Sequence, residues 1–343
     1  MSNTSKINSS QFYSEYNGHK VRHLEKLLPP LRESSDFLIW TAGDSSLDNK
    51  YWFHDRRPAV GAYREVLDPP TSICDVTYWL NYISATEGNS RHGGRRVAAI
   101  NTAVEATTLN ERTFRLRPQD TFLRDNIKEE DVLMVSIGGN DVALLPCPCT
   151  IASIAGLMCL PLYCVENGCS FASFPTDDYC CGCGPSLLSC GCAFPPCLGY
   201  FRHLFGTRVQ KYIEALTAKT KPKNILICMI YNPDENPIPS WAGRALGALQ
   251  YNSNPAKLQA FIRKVFQDAT SNIRIEGTEV IPVPLFSVLN GKRSEDYVAR
   301  VEPSAIGGEK MAQYLLDIMN RENHSASLSP APAAPSTAFI SGR

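Results

Sequence analysis

The chain has no net charge and no basic run, since 34 lysines and arginines are balanced by 34 aspartates and glutamates over 343 residues. Such a surface lacks the electrostatic footprint of a nucleic-acid partner and any general attraction to anionic lipid. Met1 to Ser10 hold no apolar stretch of the kind a secretory signal needs, so no export is expected and the protein reads as cytoplasmic. No internal repeat is found. Histidine is scarce, at six residues. His19 and His23 lie in a polar lead, His92 in a loop and His324 in the tail, which leaves His54 and His203.

What is present is an alternation of strand and helix patterns. Apolar runs at 36–42, 97–101, 131–137, 224–230 and 278–284 read as strands. Between them, Ile73 to Leu80, Val209 to Leu216 and Leu258 to Phe266 carry apolar residues at helical spacing. A last helix starts near Ser304, with Met311, Tyr314, Leu315 and Ile318 on one side. Five strands joined by crossover helices predict a parallel sheet covered on both faces. Residues 1–33 read as a polar N-terminal extension whose short helix ends at Pro29-Pro30. Residues 34–321 read as the α/β domain, and 322–343 as a disordered tail rich in Ser, Ala and Pro.

Two of the strand ends carry chemistry. The run Asp36 to Trp40 opens into Thr41-Ala42-Gly43-Asp44-Ser45-Ser46, and Asp131 to Val135 opens into Ser136-Ile137-Gly138-Gly139-Asn140-Asp141. A serine at a strand-to-helix turn sits among backbone N–H groups that lack an intrahelical partner, where a developing oxyanion is stabilised. Gly-Asp-Ser alone is also ordinary turn and N-cap sequence. Its weight comes from the second strand end, which a parallel sheet brings to the same edge.

Together these segments resemble the first and third blocks of the SGNH (GDSL-type) serine hydrolases, a resemblance that covers residues 36–141 and 200–319. It implies a flavodoxin-like three-layer α/β/α fold with a central parallel sheet of about five strands. It also implies ester hydrolysis without a cofactor, with Ser45 as nucleophile and the Asn140 side chain as an oxyanion donor. The second block is altered. In the stretch Val97 to Thr108, Ala106 stands where the family has a glycine whose backbone N–H joins the oxyanion hole. Alanine supplies the same N–H freely at negative φ and is strained at positive φ.

The last block departs further. The family ends in Asp-x-x-His before Pro-Ser, and that histidine is the general base. Here Ala299-Arg300-Val301-Glu302-Pro303-Ser304 puts Glu302 at the histidine and Ala299 at the aspartate. A serine without a base is a poor nucleophile. A solvated carboxylate, with pKa about 4.3, is a weak substitute unless burial raises it. Glu302 therefore has two readings, an unconventional base or a helix-start carboxylate favoured by the dipole. On a continuous helix His54 would lie about 13 Å from Ser45 along the axis, too far to serve.

The segment between Val142 and Phe201 interrupts the resemblance. It holds 11 of the 13 cysteines, no basic residue, and only Glu166, Asp177 and Asp178 as charges. A disulfide-stapled lid is one reading, disfavoured by the missing export signal. A metal site could use Cys147-Pro148-Cys149, Cys181-Gly182-Cys183 and Cys190-Gly191-Cys192, but two Cys-x₂-Cys pairs and a histidine are lacking. An S-acylated, membrane-contacting hairpin is the third reading, with Pro146, Pro148, Pro161, Pro195 and Pro196 arguing against clean spanning helices. A plain apolar lid is the fourth.

The resulting expectation is an SGNH-type hydrolase cleaving a small-molecule or lipid ester through Ser45, Ala106, Asn140 and Glu302, with no metal or cofactor. The alternative is an inactive protein of the same fold that binds an acyl or glycan ligand in the same cleft.

Overall fold

A computed structural model describes residues 6–88, 92–167 and 198–328. Five parallel strands, β1 (Phe37–Gly43), β2 (Val97–Asn101), β3 (Val132–Ser136), β4 (Asn224–Met229) and β5 (Glu279–Pro284), form one sheet in the order β2-β1-β3-β4-β5. Every residue of β1, β3 and β4 is buried. Strands covered on both faces read as continuous apolar runs, which is why these were legible in the sequence. A short antiparallel hairpin of β6 (Tyr297–Val298) and β7 (Glu302–Pro303) follows the sheet.

The helices that matter below are α1 (Val21–Ser34), α2 (Val76–Thr86), α3 (Pro118–Asn126), α4 (Gly139–Ala143), α5 (Pro148–Met158), α6 (Leu162–Asn167), α7 (Val209–Leu216), α8 (Gly243–Ala248), α9 (Pro255–Asp268) and α10 (Ala305–Leu328). The Asp75 carboxylate caps α2 by accepting from Tyr78 N at 2.7 Å. That helix packs on β2 and on α10, while α1 packs on β1 and α3, and α3 on α7. The fold is thus the expected three-layer α/β/α arrangement, with a five-stranded parallel centre.

Two boundaries differ from the sequence reading. Helix α1 does not stop at Pro29-Pro30 but continues to Ser34. Leu24, Leu27 and Leu31 are buried at helical spacing, Pro29 faces outward, and the Pro30 carbonyl accepts from Ser34 Oγ at 2.8 Å. Burial of that stripe outweighs the lost backbone donors. At the other end α10 runs to Leu328, into the stretch read as tail; residues 329–343 lie outside those described.

The insert is seated on the domain at both of its described ends. Leu157, Leu160 and Val165 are buried, Lys257 Nζ on α9 donates to Met158 O at 2.6 Å, and α6 packs on α9. Leu145, Ile151 and Tyr163 are exposed. Residues 168–197, with seven of the insert's cysteines, lie outside the described part, so the disulfide, metal and S-acylation readings fall largely there. Among the described residues no helix is long and apolar enough to cross a membrane, and no His/Cys/Asp/Glu group is arranged to hold a metal.

A buried carboxylate ties the first helix to the sheet. Asp131 accepts from Arg32 at 2.5 and 2.6 Å, from Trp40 Nε1 at 2.9 Å, and from the backbone N–H groups of Leu38 and Lys128, each at 2.9 Å. Removing it strands a buried guanidinium contact and three donors. Asp131→Ala should therefore cost about 3–5 kcal/mol of unfolding free energy, measured by urea denaturation. A loss below about 1 kcal/mol would contradict this account.

Candidate active site

The register of the sheet builds the site. Gly43 pairs with Ser136 across β1 and β3, and Thr41 with Asn101 across β1 and β2, so three chain segments leave the sheet at one edge. Gly43 has φ +123°, and a Cβ there would lie 1.8 Å from Ser136 O. Only glycine fits. Asp44 N then donates to Ser136 O at 3.0 Å. The Asp44 carboxylate accepts from Ser46 N at 3.1 Å and Ser46 Oγ at 2.7 Å, and Ser46 Oγ lies 2.6 Å from Ser136 Oγ. Burial pushes the Asp44 carboxyl up to about 6. Ser45, between these two hydrogen-bonded side chains, lines the same cavity as Glu302.

The loop after β2 is laced to the same edge. Thr102 N donates to Thr41 O and Val104 N to Gly43 O, each at 3.0 Å. Asp141 accepts from Leu109 N at 2.8 Å and Asn110 N at 3.1 Å, while Asn140 Nδ2 donates to Thr107 O at 3.1 Å. One N–H of the Asn140 amide is thereby used and the other remains. Ala106, between these ties, has φ +55°. The strained alternative is the one adopted.

Glu302 is held by its neighbours in the chain. Ala299 and Arg300 both take left-handed φ, +47° and +70°, to turn β6 into β7. The buried Arg300 side chain donates to Asp234 O at 3.0 and 3.2 Å and to Asn252 Oδ1 at 2.9 Å. Tyr231 Oη donates to Val301 O at 2.7 Å, and Asn49 Nδ2 to Pro303 O at 2.9 Å. The Glu302 side chain is 2 % exposed, and its Oε2 has no hydrogen-bond partner. Burial pushes its carboxyl up to about 8; the Ser45 hydroxyl against it pulls down, and Asp44 and Asp48 push up further. The helix-start reading is not what is observed, since Glu302 lies in β7, ahead of α10.

Beneath the site lies a buried charge cluster that sequence reasoning missed. Lys50 Nζ reaches both oxygens of Asp48, at 2.7 and 2.8 Å, and lies 3.9 Å from Glu105 Oε2. Asp48 also accepts from Asn101 Nδ2 at 2.7 Å and Glu105 N at 3.2 Å. Burial, then Asp48, drives the Glu105 carboxyl up to about 10 against the pull of Lys50. Nothing in the one-dimensional pattern separates Lys50 from a surface lysine. Arg300, likewise, carried no signal.

Ser45, Asn140 and Glu302 line one cavity of about 110 Å³ with Asp44, Ser46 and an apolar wall; Ala106 is not part of its lining. Among the described residues no histidine lines it. His54 is exposed, and His19 is buried elsewhere, stacked on Phe12 with Nδ1 2.9 Å from Phe12 O. A serine hydroxyl that shares a cavity with a buried carboxyl of raised pKa can pass its proton to the carboxylate form of that group.

No family model matches the chain, and no curated protein matches it. Solved structures similar to it include an acetylxylan esterase from Geobacillus stearothermophilus, at 10 % identity, TM-score 0.40, and 83 % of this chain against 95 % of that one. A GDSL-like lipase from Parabacteroides merdae gives 14 %, 0.41, 83 % and 96 %, and an extracellular lipase from Streptomyces rimosus 11 %, 0.37, 83 % and 99 %. Likeness at this level carries no argument about chemistry, which rests on the site itself.

A left-handed alanine costs about 1–2 kcal/mol, partly offset by the greater chain entropy a glycine loses. Ala106→Gly should thus raise unfolding free energy by about 0.5–1 kcal/mol and leave the loop's hydrogen bonds in place. Thermal and urea unfolding of the two proteins check this, and a destabilised variant would show the loop to be unstrained.

Proposed function

We propose that the protein is a serine hydrolase of carboxylic esters, acyl or lipid-like, in which Ser45 attacks and Glu302 is the general base. The observation that carries the reading is one cavity lined by both Ser45 and the buried Glu302, whose carboxyl burial pushes up to about 8. The objection to a carboxylate base was its weakness, and burial removes that objection. The missing aspartate also acquires a reason. A histidine base becomes a cation that an acid must stabilise, whereas a carboxylate base becomes neutral on taking the serine proton. Ala299 can then stand at that position without loss.

In the first half-reaction Ser45 Oγ bonds to the ester carbonyl carbon as its proton passes to Glu302. The negative charge on the carbonyl oxygen meets the free N–H of Asn140 and the backbone N–H groups of Ser45 and Ala106. Collapse expels the alcohol, which takes the proton back from Glu302. Water repeats the sequence on the acyl-enzyme and releases the acid. The Asn140–Thr107 bond orients the amide, and the Asp141 contacts hold the Ala106 loop beside it.

Ser45→Ala should abolish turnover of short-chain nitrophenyl esters and labelling by a fluorophosphonate. Asn140→Ala should lower kcat by about 10² to 10³-fold. Full activity in Ser45→Ala would remove the assignment.

The pH profile tests Glu302 separately. The base form exists above its pKa, so kcat/KM should climb about tenfold per pH unit below 8 and level above it. Glu302→Gln should lower activity by about 10² to 10⁴-fold and abolish that rise. The stability sign is opposite. The folded carboxyl holds its proton more tightly than the unfolded one, so its contribution is full below the ordinary carboxyl range and lost as pH climbs through about 8. Glu302→Gln should therefore flatten the fall in Tm between about pH 5 and 8. An unchanged profile in Glu302→Gln would exclude it as the base.

A further inference from the structure

The acidic, serine and asparagine side chains lining the cavity beside Ser45 come from the ends of β1 and β3 and from β7. Ser45, Asn140 and Glu302 are among them, and the rest of the wall includes Ile230, Trp241, Leu246, Leu249, Leu258 and Ile262, supplied by β4's end, α8, α9 and the segment leading into α8. Leu246, Leu249, Leu258 and Ile262 are buried. Tyr231, which also faces the cavity, spends its hydroxyl on Val301 O, and the nearby Pro233 carbonyl accepts from Tyr251 Oη at 2.6 Å. The wall's one unspent donor is Trp241 Nε1, buried without a partner.

Such a wall discriminates between the two halves of an ester. A hydroxylated leaving group placed here would leave its oxygens unpaired among leucine and isoleucine side chains, at the cost of their lost hydration. An acyl chain has no such oxygens, and each methylene removed from water favours binding by about fourfold. The order of bond breaking points the same way. The alcohol must leave before water can attack, so the half that stays bonded to Ser45 is the half that suits a closed pocket.

Resting on the assignment of Ser45 as nucleophile, we propose that this cavity is the acyl-chain site. It selects unbranched, medium-length aliphatic acyl groups, and the alcohol is held outside it. Helices α8 and α9 are then specificity elements. The insert contributes through Val142 and Ala143, which line the cavity, and through α6, which packs behind α9.

The test separates pocket from catalysis by using a neutral, non-hydrolysable probe. Binding of 2-octanone and of acetone is followed by the protein's tryptophan fluorescence, on wild type and on Ser45→Ala. 2-Octanone should bind both at least tenfold more tightly than acetone. Val142→Phe and Ile262→Phe, each checked for folding by circular dichroism, should reduce 2-octanone affinity at least tenfold and leave acetone unaffected. Wild-type kcat/KM should favour octanoyl over acetyl nitrophenyl esters by at least tenfold, and both variants should lose this preference. Equal binding of the two ketones, or a chain-length profile unmoved in both variants, overturns the pocket. Tight 2-octanone binding with no ester turnover overturns the nucleophile instead, and leaves the pocket standing.

Discussion

At the ends of β1 and β3 the two backbones approach until no side chain fits between them. Gly43 meets Ser136 there, with room for a hydrogen and nothing larger. This contact sets where each chain leaves the sheet, and the leaving points set the site. Asp44 and Ser46 are consumed in hydrogen bonds across the same junction, which fixes the turn on which Ser45 stands. A methyl group at position 43 would force the strands apart. The damage would reach Ser45, Asn140 and the Ala106 loop together, because all three hang from that junction.

The second constraint is electrostatic. Asp44, Asp48, Glu105 and Glu302 are buried close together, with Lys50 as the cation in direct contact among them. Buried like charges cannot all ionise, so the protein keeps some of them protonated at neutral pH. Burial first, and the neighbouring carboxylates after it, raise the carboxyl pKa values of Glu105 and Glu302. The same crowding that costs stability at high pH is what would make Glu302 a usable base. Rigidity accompanies it. The Arg300, Tyr231 and Asn49 contacts clamp the backbone on either side of Glu302, in a hairpin whose left-handed residues are not glycines.

The placement of hydrophobic surface divides the proposed labour at Ser45. Polar donors sit at the sheet edge, where loops meet, and the apolar wall comes from α8 and α9. Helix α9 in turn packs on the insert's α6.

The sequence by itself determined the strand set, because strands buried on both faces must be apolar throughout, and five such runs have little other use. It also singled out Ser45 and Asn140 as candidates, since Gly-Asp-Ser and Gly-Asn-Asp each close one of those runs. What it could not determine was anything that depends on burial of a polar group. Glu302 reads as the wrong residue in the histidine's place until its desolvation is seen. Ala106 reads as neutral until its φ is known. Lys50 and Arg300 look like surface cations, and α1 looks broken at Pro29. A one-dimensional pattern reports which side chains prefer the interior. Only the tertiary structure decides which reluctant ones are carried there, by neighbours whose packing and hydrogen bonds outweigh the cost.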